Sequence, residues 1–119
     1  MEKHALTITV ESVNDVPVIR AAGELEIATV PEMRAVVAQL AELQPRALIF
    51  DFSDVSYLDS SGLGILVSAK KRLGNYRGEI VVVTRQQSVL KALSLSGLDQ
   101  ILRVVPTVEA YFEAGVAAH

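Results

Sequence analysis

The sequence predicts an α/β fold: a mixed, mostly parallel sheet of about five strands with four helices, in the order ββαβαβαβα. Three observations carry this. At residues 5–10, Leu6, Ile8 and Val10 alternate with Thr7, Thr9 and Glu11, the period of a half-buried strand. Short apolar runs at 47–52 and 79–84 read as strands covered on both faces. From the first of these runs onward, strands alternate with helical stretches, which implies parallel pairing through right-handed crossovers.

The elements follow in order. Asn14 and Asp15 turn the chain into a second strand over 16–22, an antiparallel hairpin near a sheet edge, where Pro17 is tolerated. Thr29 and Glu32 have the spacing of a capping box, with Pro31 in the first turn, and Met33, Val36, Val37 and Leu40 share one helix face. The run at 47–52, broken by Asp51 and bounded by Pro45-Arg46 and Ser53-Asp54, takes a central position in the sheet. A second helix covers 60–73. Lys70, Lys71 and Arg72 sit in its last turn, where cations suit the dipole, and Gly74 is its stop. After the strand at 79–84 come a short helix over 88–95 ending at Gly97 and a last strand over 101–105. A terminal helix from 107 to about 115 turns Val108, Tyr111 and Phe112 inward.

Composition narrows the function. A chain of 119 residues, half of them apolar, supports one domain over 1–119 whose core needs no staple. It has no cysteine, which excludes disulfides, thiolate metal sites and a cysteine nucleophile. Eleven basic against 14 acidic side chains, with no basic run, leave no footprint for nucleic acid. Nothing resembles a signal peptide or membrane span, so the expected location is cytoplasmic, without membrane insertion. The two histidines, His4 and His119, stand at the chain ends, away from any carboxylate cluster with metal-ligand spacing. A Ser-His-Asp triad is poorly supported, and neither a metal nor a cofactor is expected.

Ligand and partner sites in such sheets lie where strand ends feed helix N-termini, which directs attention to residues 53–64. Asp59, Ser60 and Ser61 enter the second helix, followed by Gly62, Leu63 and Gly64. The loop matches neither a nucleophile elbow nor a phosphate loop. One capping residue suffices for a helix, a role that propensity gives to Asp59 or Ser60, so a hydroxyl is left over. A serine there suits phosphorylation, because a charge of about −1.5 to −2 meets the unpaired N–H groups of the first turn. Leu63, Ile65, Leu66 and Val67 surround most of the helix. They read either as core or as a docking patch.

The chain resembles the STAS domains, and within them the bacterial anti-anti-sigma factors, or anti-sigma factor antagonists. The resemblance covers nearly its whole length. It rests on Gly23-Glu24-Leu25, on the segment from Phe52 through Asp59-Ser60-Ser61-Gly62-Leu63 to Gly64, and on Ser96-Gly97-Leu98. It implies a non-enzymatic partner switch. The unphosphorylated antagonist binds an anti-sigma factor that is also a serine kinase and so frees a sigma factor. Phosphorylation of Ser60 ends that binding, and a serine phosphatase reverses it. The same resemblance implies that Asp59 caps and shapes the loop, that Ser61 and Gly62 support the turn, and that the helix from Leu63 adds to the docking face. After Gly-Glu-Leu the family usually has Asp where this chain has Glu26, which keeps the carboxylate and extends it by one methylene.

Two other classes compete. A soluble STAS subunit of a membrane transport complex would keep the fold and bind its partners regardless of charge at position 60. A small hydrolase would use Ser60 or Ser61 as nucleophile. A monomer is the expected free state.

Overall fold

The first hairpin closes through Asn14 and Asp15, which take φ of 51° and 66°, in a computed structural model that describes residues 5–114. These two residue types tolerate the left-handed backbone that a tight two-residue turn requires. Val13 and Val16 flank the turn as the closing pair of β1 (Leu6–Val13) and β2 (Val16–Leu25). Pro17 faces Ser12 one position further on. The remaining strands, β3 (Ala47–Leu58), β4 (Glu79–Val83) and β5 (Arg103–Val105), add in sequence order, each parallel to the one before. Helices α1 (Val30–Ala41), α2 (Ser60–Gly74), α3 (Gln87–Ser96) and α4 (Val108–Glu113) form the connections and the C-terminal element, so the expected order is observed.

Alternation along the strands divides the core. Ile19, Leu48, Phe50, Phe52, Ile80 and Val82 pack under α1, α2 and α3 against Met33, Val37, Ile65, Leu66 and Leu73. Phe50 and Phe52 meet edge to face with centroids 5.6 Å apart. Each large side chain buried in this way contributes about 1.5–3 kcal/mol. On the other face Val16, Val18, Ala47, Ile49, Val81 and Val83 lie under Val108 and Tyr111 of α4. A helix of six residues is only about 9 Å long and, among the described residues, leaves part of that face open. There Arg20 forms ion pairs with both Glu11 and the buried Asp51. The carboxylate of Asp51 also accepts the Ser53 hydroxyl at 2.6 Å and the Ser53 N–H at 3.1 Å. Those contacts explain how a charge sits inside an otherwise apolar run.

Several expectations change. β1, β2 and β3 all run longer than their apolar patterns, and β3 reaches Leu58, so residues 53–58 are strand and not loop. Val10 is 46% exposed although the alternation points it inward. Pro17 lies on the second strand of the sheet, one in from the edge. The capping box does not form: the Thr29 hydroxyl donates to the Glu24 carbonyl at 2.8 Å and makes no cap bond to its own helix. Helix α2 includes Gly74 as its last residue, and Asn75 is its C-cap in right-handed backbone. Gly97 does stop α3, with φ 79° in the left-handed region that glycine enters without strain. A 3-10 turn at Leu98–Gln100 precedes β5, which shortens to three residues. Thr107 caps α4 by accepting the Ala110 N–H, Tyr111 is buried, and Phe112 is half-buried against it. His4, Gly115 and His119 lie outside the described residues.

Candidate functional site

The ends of β2 and β3 carry the site past the rest of the sheet. The β3–β4 pairing ends at Asp51 opposite Val83, whereas β2 and β3 continue to Leu25 opposite Leu58. Arg20 faces Asp51 and Leu25 faces Leu58, so β3 inserts two extra residues over the same span of β2. Such bulges bend a strand and re-aim its side chains, and they recur beside functional sites. The carbonyls of this overhang are met from α3: Gln86 Nε2 donates to Ser53 O at 3.0 Å, and the Ser88 hydroxyl donates to Ser56 O at 2.7 Å.

Asp59 follows as the N-cap of α2. Its Oδ1 accepts the Gly62 N–H at 3.0 Å, its carbonyl accepts the Leu63 N–H at 3.0 Å, and its own N–H donates to Leu25 O at 3.2 Å. The other carboxylate oxygen accepts the Ile27 N–H at 3.2 Å. One side chain therefore caps the helix and holds the β2–α1 connection. Glu26 lies in that connection, with Oε1 turned back onto the Ala28 N–H at 3.4 Å. Its carbonyl accepts the N–H groups of Thr29 and Val30, each at 2.9 Å. Glu26 and Asp59 thus hold the backbone on either side of Ile27.

Ser60 is the first residue of α2 and is exposed. Ser61 is half-buried, and Gly62 is buried where the helix passes close to β2. A Cβ on Gly62 would stand 2.8 Å from the Leu25 carbonyl oxygen and 3.1 Å from Leu58 Cβ, so this approach requires glycine. The N–H groups of Ser60 and Ser61 belong to the first turn, where helix geometry provides no intrahelical acceptor. The fifteen-residue helix has its positive dipole end at Ser60.

The apolar surplus on α2 is mostly internal: Ile65 and Leu66 are buried, and Leu63 and Val67 are half-buried against the core. The exposed apolar surface at this end of the molecule comes instead from Ile27, 71% exposed, and Tyr57, 49% exposed. Sequence reasoning missed both. The available signal was an isoleucine in a polar turn and a tyrosine in a serine-aspartate stretch. Of the residues singled out, Asp59, Ser60, Ser61 and Gly62 form one contiguous turn, and Glu26 joins them through Ile27 and Asp59. Among the described residues no group of three or more His, Asp or Glu side chains could hold a metal ion. No helix there is long and apolar enough to cross a membrane.

Comparison with known proteins gives a consistent result. The STAS domain family matches residues 7–111. The chain is 30% identical over 104 residues to the anti-sigma-F factor antagonist RsfB of Mycobacterium tuberculosis, covering 87% of this chain and 84% of that one. An anti-sigma factor antagonist from Mycobacterium paratuberculosis superposes with a TM-score of 0.87 at 30% identity, over 95% of this chain and 96% of that one. The Bacillus cell-fate determinant SpoIIAA, in its phosphorylated form, shares the fold with a TM-score of 0.72 at 24% identity, over 91% and 98% of the two chains.

Proposed function

The chain belongs to the STAS domain family, and on that footing we propose that it is an anti-sigma factor antagonist working as a phosphorylation-controlled partner switch. The observation that carries this reading is exposed Ser60 at the start of α2, at the same end of the molecule as exposed Ile27 and Tyr57. In the unphosphorylated state this surface binds an anti-sigma factor that is also a serine kinase, and the sigma factor is released. The antagonists matched in Mycobacterium, named for their action on anti-sigma factors, support the partner class.

The switch follows from charge. The Ser60 oxygen attacks the γ-phosphorus of ATP, the new O–P bond replaces the bond to ADP, and a base of the kinase takes the hydroxyl proton. The dianion meets the N–H groups of the first turn of α2, so the fold tolerates it. It stands beside Asp59 in a patch whose apolar residues a partner must desolvate, and the added hydration and repulsion oppose docking. A serine phosphatase restores the hydroxyl. The protein itself supplies no catalytic base in this scheme, and its role is that of substrate and ligand.

The test is phosphate transfer from ATP by the cognate kinase, with the modified residue mapped by mass spectrometry. Ser60→Ala is expected to abolish incorporation and Ser61→Ala to retain it. Full incorporation into Ser60→Ala would overturn the assignment.

A further inference from the structure

Among the described residues β1 is the outer strand of the sheet and pairs with β2 alone. Its eight residues include neither proline nor lysine, two common guards of an exposed edge, and their one charge, Glu11, is paired with Arg20 of the neighbouring strand. The opposite edge, β5, is only three residues long. In the hairpin closed by Asn14 and Asp15, Val13 and Val16 exchange the first pair of ladder bonds, so odd-numbered residues of β1 bond to β2. Pro17 agrees with this register, because its missing N–H falls opposite Ser12, a position that sends no bond across the ladder. Residues 6, 8, 10 and 12 therefore turn their N–H and C=O groups outward.

We propose that a second copy of this chain pairs antiparallel with β1 about a two-fold axis at Thr9, joining two five-stranded sheets into one. This register uses the outward groups: Ile8 pairs with Val10 of the other copy and Val10 with Ile8. It also sets Thr9 against Thr9 and Thr7 against Glu11, so the two Glu11 carboxylates never face each other. The side-chain faces match as well. Leu6 and Ile8 lie on the helix side of the sheet, and Val10 opens on that side into a groove of about 400 Å³ lined by Pro17, Leu40, Leu43 and Pro45. Leu43 is 75% exposed and Val10 46% exposed. Pairing brings the second copy's Ile8 and Leu6 to the mouth of that groove and covers both. The expectation of a monomer rested on composition, which contains no information about an open edge. The proposal is independent of the switch, because α2 contributes nothing to the seam.

The test uses sedimentation velocity over a range of concentrations, together with single cysteines placed in a chain that has none. The wild type is expected to show concentration-dependent dimers, weakened at least tenfold by Val10→Lys and unchanged by Ser60→Asp. At a facing pair without ladder bonds, the Cα atoms lie about 4.5 Å apart, within disulfide range. Thr9→Cys is therefore expected to cross-link under mild oxidation at least tenfold faster than Thr7→Cys, whose two copies stand about 13 Å apart. A protein that stays monomeric, dimers indifferent to Val10→Lys, or equal cross-linking at positions 7 and 9 would overturn the proposal.

Discussion

Asp59 Oδ2 accepts the backbone N–H of Ile27 at 3.2 Å while Oδ1 caps α2 through Gly62. Position 59 thus couples the stability of the helix start to the position of an exposed apolar residue. Asp59→Ala is expected to lower stability by about 1–2 kcal/mol, the range for loss of an N-cap, and Asp59→Asn by less. Urea denaturation measures both. Asp59→Ala is further expected to weaken partner binding beyond this effect, because Ile27 loses its tether.

Gly62→Ala opposes two effects. Alanine favours a helix interior by about 1 kcal/mol over glycine. Overpacking costs about 1–3 kcal/mol, and here the new Cβ meets the backbone carbonyl of Leu25 at 2.8 Å, which cannot rotate away. That carbonyl also accepts the Asp59 N–H, so relief of the clash disturbs the cap. A net loss of about 1–2 kcal/mol is expected in the same denaturation experiment.

Arg20→Ala removes the countercharge of Asp51, whose side chain is 9% exposed while that of Arg20 is 45% exposed. The bonds from Ser53 remain. Solvent reaches the guanidinium and screens the pair, so the expected loss is about 1–2 kcal/mol, below that for a fully buried pair. Its dependence on salt is the check: the difference between wild type and variant is expected to shrink as ionic strength rises.

Tyr111 donates its hydroxyl to Glu79 Oε2 at 2.7 Å, and Arg103 holds the other oxygen of that carboxylate at 3.2 Å. Burial and then the bond to Glu79 push the Tyr111 phenol above its ordinary value of 10. Because the folded pKa is the higher, the stabilisation is fully present below pH 10 and is lost as pH rises toward the folded value. Burial shifts Tyr76 in the same direction. Tyr111→Phe is expected to cost about 1 kcal/mol at neutral pH and to flatten the loss of stability above pH 10. Denaturation at pH 8 to 11 measures both effects.

Much of this architecture was legible because local signals agreed with the tertiary outcome. Asn14-Asp15 turned the hairpin, Asp59-Ser60 opened α2, and Gly97 closed α3. The failures share a cause, since in each case a partner distant in sequence decided. Residues 53–58 read as leading out of the strand because Ser53, Asp54 and Ser56 break the apolar run there. They form strand because β2 supplies one ladder and Gln86 and Ser88 satisfy carbonyls in the overhang. Thr29 had the right spacing for a capping box, yet its hydroxyl was drawn to the Glu24 carbonyl at the end of β2. The turn at residues 59–62 is continuous in sequence and was legible as the start of α2. Ile27 and Tyr57 were missed, because only the fold brings their segments together at that end of the molecule.

The most direct test is the affinity of the proposed partner, an anti-sigma factor with kinase activity, for wild type, Ser60→Ala and Ser60→Asp, measured by calorimetry without ATP hydrolysis. Ser60→Ala is expected to bind within about threefold of wild type and Ser60→Asp about 100-fold more weakly, the scale of about 2–3 kcal/mol for a charge placed in a desolvated contact. Equal affinities for the three proteins, each shown to be folded, would contradict that expectation and leave Ser60 as part of a helix start with no switching role.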